Sequence, residues 1–282
     1  MSEQIDHKDS SLRPFESSNS SISPYQYIIL AGEKLKLPQP TIATAIVLYY
    51  RVKNSQSQLS SQGRQESKQL EQENETCDDL EVYLLVTTCI NLACKTTEVS
   101  RKVRDIINVG YRLLHPTESP LRIGEVNMLQ SSLFKSLLIS YRKQAYWKMK
   151  DSLLSSELIV LRILRFEVDV ELPYPWINKI IKGMCYWKDV EIENDVDRLL
   201  HNDSHPMIQA VFQLAWAFVH DCLRTPPIML SHPPIHIALA CVHLAIRSLN
   251  VENPQSFHEW CKMWGVTNSE TIKCLVVRIM SI

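Results

Sequence analysis

Asp151-Ser-Leu-Leu-Ser-Ser-Glu-Leu-Ile-Val-Leu-Arg-Ile-Leu-Arg-Phe-Glu-Val168 carries apolar residues at Leu153, Leu154, Leu158, Leu161, Ile163, Leu164, Phe166 and Val168. That density exceeds the single apolar stripe of a surface helix and predicts a helix covered on most sides by others. One acid, Glu157, sits inside the run, and its neighbours at helical spacing (Leu153, Leu154, Leu158, Leu161) are all apolar. A carboxylate among buried leucines is costly unless it is paired or lies where the apolar surface meets something else. The purpose of Glu157 is therefore the functional question posed by this chain.

The surrounding composition bounds the answer. The 282 residues suffice for one large domain or two ordinary ones, and 45% hydrophobic with 22% charged residues is an ordinary globular balance. A net charge of -1 supplies no global basic field for nucleic acid or an anionic membrane. Only 6 glycines argue against turn-rich β structure and phosphate-cradling loops, and favour an all-helical fold. The 8 cysteines (Cys77, Cys89, Cys94, Cys185, Cys222, Cys241, Cys261, Cys274) include no C-x-x-C pair, so a zinc ribbon is not expected and most read as small core residues. The polar start, Met1-Ser-Glu-Gln-Ile-Asp-His-Lys8, lacks the apolar core of a signal peptide, and no apolar segment is long enough to span a bilayer. The expected compartment is reducing, in the nucleus or cytoplasm.

Along the chain, residues 1–23 are Ser-rich and predict a disordered tail. Pro24 opens a helix that stops at Leu37-Pro-Gln-Pro40, and Thr41 can cap a second helix. Lys53 to Thr76 is a polar stretch of Ser, Gln, Glu and Asn, expected as a solvated loop inserted into the fold. Leu80 to Lys95 is apolar almost all round, the signature of a central helix. Ser100 to Val109 is a shorter amphipathic helix, Leu113 to Glu125 a proline-bearing loop, and Val126 to Lys143 has helical periodicity leading into Ala145–Val168. Pro173 and Pro175 mark a boundary. Helices are expected beyond it at Trp176–Met184, Pro206–Cys222, Pro234–Leu249 and Phe257–Trp264, with Leu223–His232 as connector. A final helix follows the capping-box pattern Thr267-Asn-Ser-Glu270. Each half thus holds one nearly all-apolar helix, Leu80–Lys95 or Pro234–Leu249.

Catalytic signatures are missing: no G-x-S-x-G, H-E-x-x-H, Walker or Rossmann pattern occurs. His232 and His236 are four apart, but Pro233 and Pro234 intervene, so they do not share a helix face as zinc ligands would. No catalytic, cofactor-binding or metal-binding residue is assigned. Lys95, by itself, suits the negative end of its helix. Taken with Glu157 it offers a pair on adjacent helices. Such a pair either forms a private salt bridge or clamps a partner's backbone, the carboxylate accepting amide N–H groups and the ammonium donating to carbonyls. Spacing alone leaves both open.

Several phrases resemble the cyclin box: Leu92-Ala-Cys-Lys95, Arg104-Asp-Ile-Ile-Asn108, Ser156-Glu-Leu-Ile-Val-Leu-Arg-Ile-Leu-Arg-Phe-Glu167 and Thr41-Ile-Ala-Thr-Ala-Ile-Val-Leu-Tyr-Tyr-Arg51. Pro234-Ile-His-Ile-Ala-Leu-Ala-Cys-Val-His-Leu-Ala245 is similar to the central-helix signature of a second, carboxyl-terminal box. Within the cyclin family, Ile42-Ala-Thr-Ala45, Arg104-Asp-Ile-Ile-Asn-Val109 and Leu161-Arg-Ile-Leu-Arg-Phe166 are most similar to the branch that partners cyclin-dependent kinase 10.

The resemblance implies an all-α fold of two tandem five-helix boxes. The first would span residues 24–170, with a polar insertion at 53–77 and a second insertion at 126–143, and the second box residues 171–282. The segment 126–143 is either an extra surface helix or sequence retained outside the true coding frame. The resemblance also implies a regulatory subunit, not an enzyme, that binds a cyclin-dependent kinase 10-like protein kinase and holds its regulatory helix in the active position. The matching kinase-binding residues are Lys95 and Glu157, with Leu92, Leu154, Leu158 and Leu161 around them. Alternatives are another transcription-type cyclin with a different kinase, or a DNA-binding protein like factor IIB, which the balanced charge and missing zinc ribbon disfavour. Tyr25-Gln-Tyr-Ile-Ile-Leu30 replaces the Met-Arg-x-Ile-Leu docking surface of cell-cycle cyclins, and Thr96-Thr97 precede Glu98 where acids commonly follow the lysine. The tail holds no Arg-x-x-Leu degradation motif.

Overall fold

A computed structural model describes residues 22–63, 75–114, 132–184, 206–251 and 256–282. Eleven α-helices and no strand occur among them. The tail up to residue 21, the middle of the polar stretch (64–74) and residues 115–131 lie outside the described residues.

The first group of helices is α1 (Pro24–Lys34), α2 (Gln39–Gly63), α3 (Glu75–Thr96), α4 (Val103–Leu114) and α5 (Ser132–Ile163). Ser23 and Gln26 close a capping box on α1: Ser23 Oγ accepts from Gln26 N at 3.3 Å and Ser23 N donates to Gln26 Oε1 at 3.4 Å. Central α3 packs against α1, α2, α4 and α5. Val86, Cys89, Ile90 and Ala93 are fully buried, as the all-round apolar pattern requires. Burial also pushes the Cys89 thiol up to about 12.

The second group is α6 (Tyr174–Lys182), α7 (Pro206–Leu223), α8 (Pro226–Ser231), α9 (Pro234–Ser248), α10 (Phe257–Met263) and α11 (Ser269–Met280). Here α9 is central, packing on α6, α7, α8 and α11. The groups meet where α2 lies on α7 and α8. Tyr50 Oη donates to the Leu223 carbonyl across that junction at 2.8 Å, and buried side chains of both groups form one continuous core.

Several boundaries differ from expectation. The polar stretch is not all loop: α2 continues through residues 53–63 and α3 already begins at Glu75. An exposed helix needs no apolar stripe to propagate once a buried segment has nucleated it, and Lys and Gln are good helix formers. Residues 132–143 join the following segment in one 32-residue helix, α5. The helix ends at Ile163 rather than Val168, because Arg165 (φ 52) and Phe166 (φ 63) turn left-handed. The Phe166 N–H returns to the Leu161 carbonyl at 2.8 Å, closing the helix end. The Leu223–His232 connector contains the short helix α8, opened by Pro226. The cap of α11 is Asn268, whose Oδ1 accepts from Glu270 N at 3.1 Å, in place of Thr267.

The largest difference concerns the leucine-rich run. Leu153, Val160 and Leu164 are buried, but Leu154, Leu158, Ile159 and Phe166 are exposed. The helix is covered on one face only. Among the described residues no helix is long and apolar enough to cross a membrane.

Gly110 of α4 is required by packing. A Cβ there would lie 2.5 Å from Tyr27 Oη, and this buried hydroxyl is hydrogen-bonded to Thr87 Oγ1 at 2.9 Å. Gly110→Ala is therefore expected to displace Tyr27 and lower the unfolding free energy by about 1–3 kcal/mol, measurable by urea denaturation.

A second expectation concerns acid. His243 on α9 packs against Phe257 of α10 with ring centroids 4.3 Å apart. Burial, then the Arg247 charge, lowers its pKa to about 4 from an ordinary 6.5. The fold holds this imidazole neutral, so its contribution is complete above pH 6.5 and is lost as pH falls from there toward 4. Burial also lowers the pKa of His220 and of His236. His243→Leu is expected to lose less thermal stability than the parent between pH 7 and pH 5, read from unfolding midpoints.

Candidate functional site

Helix α5 meets α3 along a narrow polar seam in an otherwise apolar contact. At its start the Thr88 hydroxyl donates to the Leu84 carbonyl (2.8 Å) and lies 3.1 Å from Ser156 Oγ. One turn on, Asn91 Nδ2 donates to Glu157 Oε2 at 3.2 Å. At the end of α3, Lys95 Nζ donates to Glu157 Oε1. Thr88, Asn91 and Lys95 recur at spacings of three and four, so they share one face of α3. Each of the two carboxylate oxygens thus has a donor from α3.

The pair is asymmetric. The Glu157 side chain is 10% exposed and that of Lys95 53%. The carboxylate is buried at the edge of the core, while the ammonium stands in the last turn of α3, where the helix dipole favours a cation, and reaches solvent. In the free chain the two charges neutralise one another. A carboxylate nevertheless has about four lone-pair sites and an ammonium three donors, so both retain capacity for a further partner.

Around this pair lies apolar surface. Leu158 is 56% exposed, Leu154 is exposed, and Leu161 is half-buried. Leu92 departs from the expectation: it is buried in the core and presents no outward face. The sequence pattern also missed Phe166. This ring is 66% exposed, on a residue that follows another left-handed non-glycine residue. Such backbone costs about 1–2 kcal/mol per residue and persists where its surroundings hold it. Here Arg51 of α2 donates from Nη1 to the Asp169 carbonyl at 3.0 Å and the Glu167 carbonyl at 3.4 Å, fixing the chain just after the turn.

The end of α3 is also anchored. Thr97 Oγ1 lies 2.8 Å from Thr41 Oγ1 at the start of α2, and Arg101 donates to the carbonyls of Leu35 (3.0 Å) and Lys36 (2.9 Å). Asn91, Thr88 and Ser156 could have been found in the sequence as polar residues on apolar helices. Among the described residues no cluster of three or more His, Cys, Asp or Glu side chains is placed to hold a metal ion.

No family model matches the chain. Curated proteins similar to it are cyclins. Cyclin-L2 of Mus musculus is 29% identical over 252 residues, covering 87% of this chain and 37% of that protein. Cyclin-L1 of Homo sapiens is 29% identical over 249 residues, covering 87% and 36%. Cyclin-T1-4 of Arabidopsis thaliana is 28% identical over 237 residues, covering 84% and 34%. The chain thus spans little more than a third of the length of these relatives.

The seam sets an order of stabilities. Lys95 is half in water, so Lys95→Ala is expected to cost the isolated chain less than about 1 kcal/mol. Glu157→Ala also removes the acceptor of buried Asn91 and is expected to cost more, about 1–3 kcal/mol. Equilibrium unfolding of the two variants side by side checks the order; equal losses would contradict it.

Proposed function

We propose that this chain is the regulatory subunit of a cyclin-dependent Ser/Thr protein kinase. The observation that carries the reading is the buried Glu157 carboxylate, joined to a solvent-reaching Lys95 and bordered by exposed Leu154, Leu158 and half-buried Leu161. The similarity to cyclins supports it. Docking covers the leucines, Glu157 accepts amide N–H groups of the kinase and Lys95 donates to its carbonyls. Leu92 acts from behind, packing the end of α3.

The chain supplies no catalytic group. It binds the kinase conformation whose regulatory helix is in place and so pulls that population up. Moving such an equilibrium from 1:99 to 99:1 takes about 5.5 kcal/mol of differential affinity. The kinase's own lysine–glutamate pair then aligns on ATP. Action in the nucleus or cytoplasm follows from this role.

For the particular pairing, the phrases Ile42–Ala45, Arg104–Val109 and Leu161–Phe166 favour a cyclin Q-type subunit with a cyclin-dependent kinase 10-like partner. The similarity to cyclin-L and cyclin-T sequences favours the second reading, another transcription-type cyclin with a different kinase.

Co-purification of the full chain with candidate kinases, followed by mass spectrometry and activity assay, tests both. Lys95→Ala and Glu157→Ala are expected to reduce kinase binding and activation at least tenfold while the chain stays folded. Unchanged activation by both variants would sink the clamp.

A further inference from the structure

Trp147 lies on α5, two turns before Leu154, and is 54% exposed. At about 100° per residue, Trp147, Leu154, Leu158 and Leu161 fall in one stripe about 60° wide. At about 1.5 Å per residue the stripe runs about 21 Å along the helix. The buried residues Leu153, Val160 and Leu164 occupy a different face. Trp147 therefore continues the apolar line that borders Glu157.

The indole is held, not loose. Lys150 Nζ lies over its ring, 4.8 Å from the centroid, and Tyr146 meets it edge-on with centroids 5.6 Å apart and planes at 70°. A large ring ordered before binding loses little conformational entropy when covered. An exposed, oriented tryptophan in line with exposed leucines has the anatomy of an interface anchor. Lys150 and Asp151 occupy the turn between Trp147 and Leu154, and exposed Arg162 flanks the stripe.

We propose that Trp147 is a second anchor for the kinase partner. It receives an apolar segment that places a carboxylate beside Lys150. This rests on the reading that α5 docks a kinase, and extends that contact toward the amino-terminal half of the helix. Continuity names the occupant, since a partner covering Leu154 and Leu158 ends within two turns of Trp147. Charge disfavours a second copy of the chain, because self-pairing would bring Lys150 and Arg162 of two helices together with Asp151 beside the stripe to offset them, Glu157 being already bonded to Lys95.

The test uses the full chain and a kinase that co-purifies with it. Trp147→Ala is expected to weaken binding at least tenfold with an unchanged unfolding midpoint, and Trp147→Phe, which keeps a flat ring, to weaken it less. If the parent binds and Trp147→Ala binds within twofold of it, the second anchor is wrong while the clamp stands. If the parent binds no kinase, both readings fall. If the isolated chain dimerises and Trp147→Ala makes it monomeric, the face serves self-association and the proposal is overturned.

Discussion

Taking the Glu157 carboxylate out of water is feasible only because α3 brings two donors to it, Asn91 and Lys95, and this requirement fixes how α3 and α5 lie together. Apolar side chains alone define helix contacts loosely, since one leucine fits about as well as another. A buried carboxylate does not slide: displaced by one turn, it would lose its donors. The Thr88–Ser156 contact one turn earlier repeats the alignment. Because α3 also packs against α1, α2 and α4, the register of this seam sets the geometry of the whole first group.

The same asymmetry separates stability from availability. Glu157 and Asn91 belong to the interior, and their bond serves the fold. Lys95 is half in water, where an ion pair is worth little. Its ammonium can exchange one oxygen for another at small cost. A buried anion with an adjustable exposed cation is therefore compatible with both readings left open by spacing, a private pair at rest and a shared one when a partner arrives.

Much of this was legible in the residues. The all-round apolarity of Leu80–Lys95 and Pro234–Leu249 gave two central helices, and Pro173 and Pro175 marked the start of α6. Glu157 was conspicuous because everything at helical spacing from it is apolar. Direction was not legible. Leucine density in Asp151–Val168 does not say which leucines face in, so the same pattern suits a one-sided helix and an enclosed one. Polar composition at 53–63 suits a loop or an exposed helix equally. The left-handed turn at Arg165–Phe166 has no glycine to announce it, and its support comes from Arg51, more than a hundred residues away. Leu92 looked available beside Lys95, but the twist of α3 turns it into the core.

Arg51 has a mechanical consequence. It lies on α2, one residue after Tyr50, whose hydroxyl is tied to Leu223 at the end of α7, and α2 also rests on α8. A single rigid strut therefore connects the strained, exposed corner at Phe166 to the second group of helices. Load applied at one end has a path to the other. Rearrangement of α7 or α8 would re-aim the aromatic corner at Phe166 without touching either charge of the Lys95–Glu157 pair.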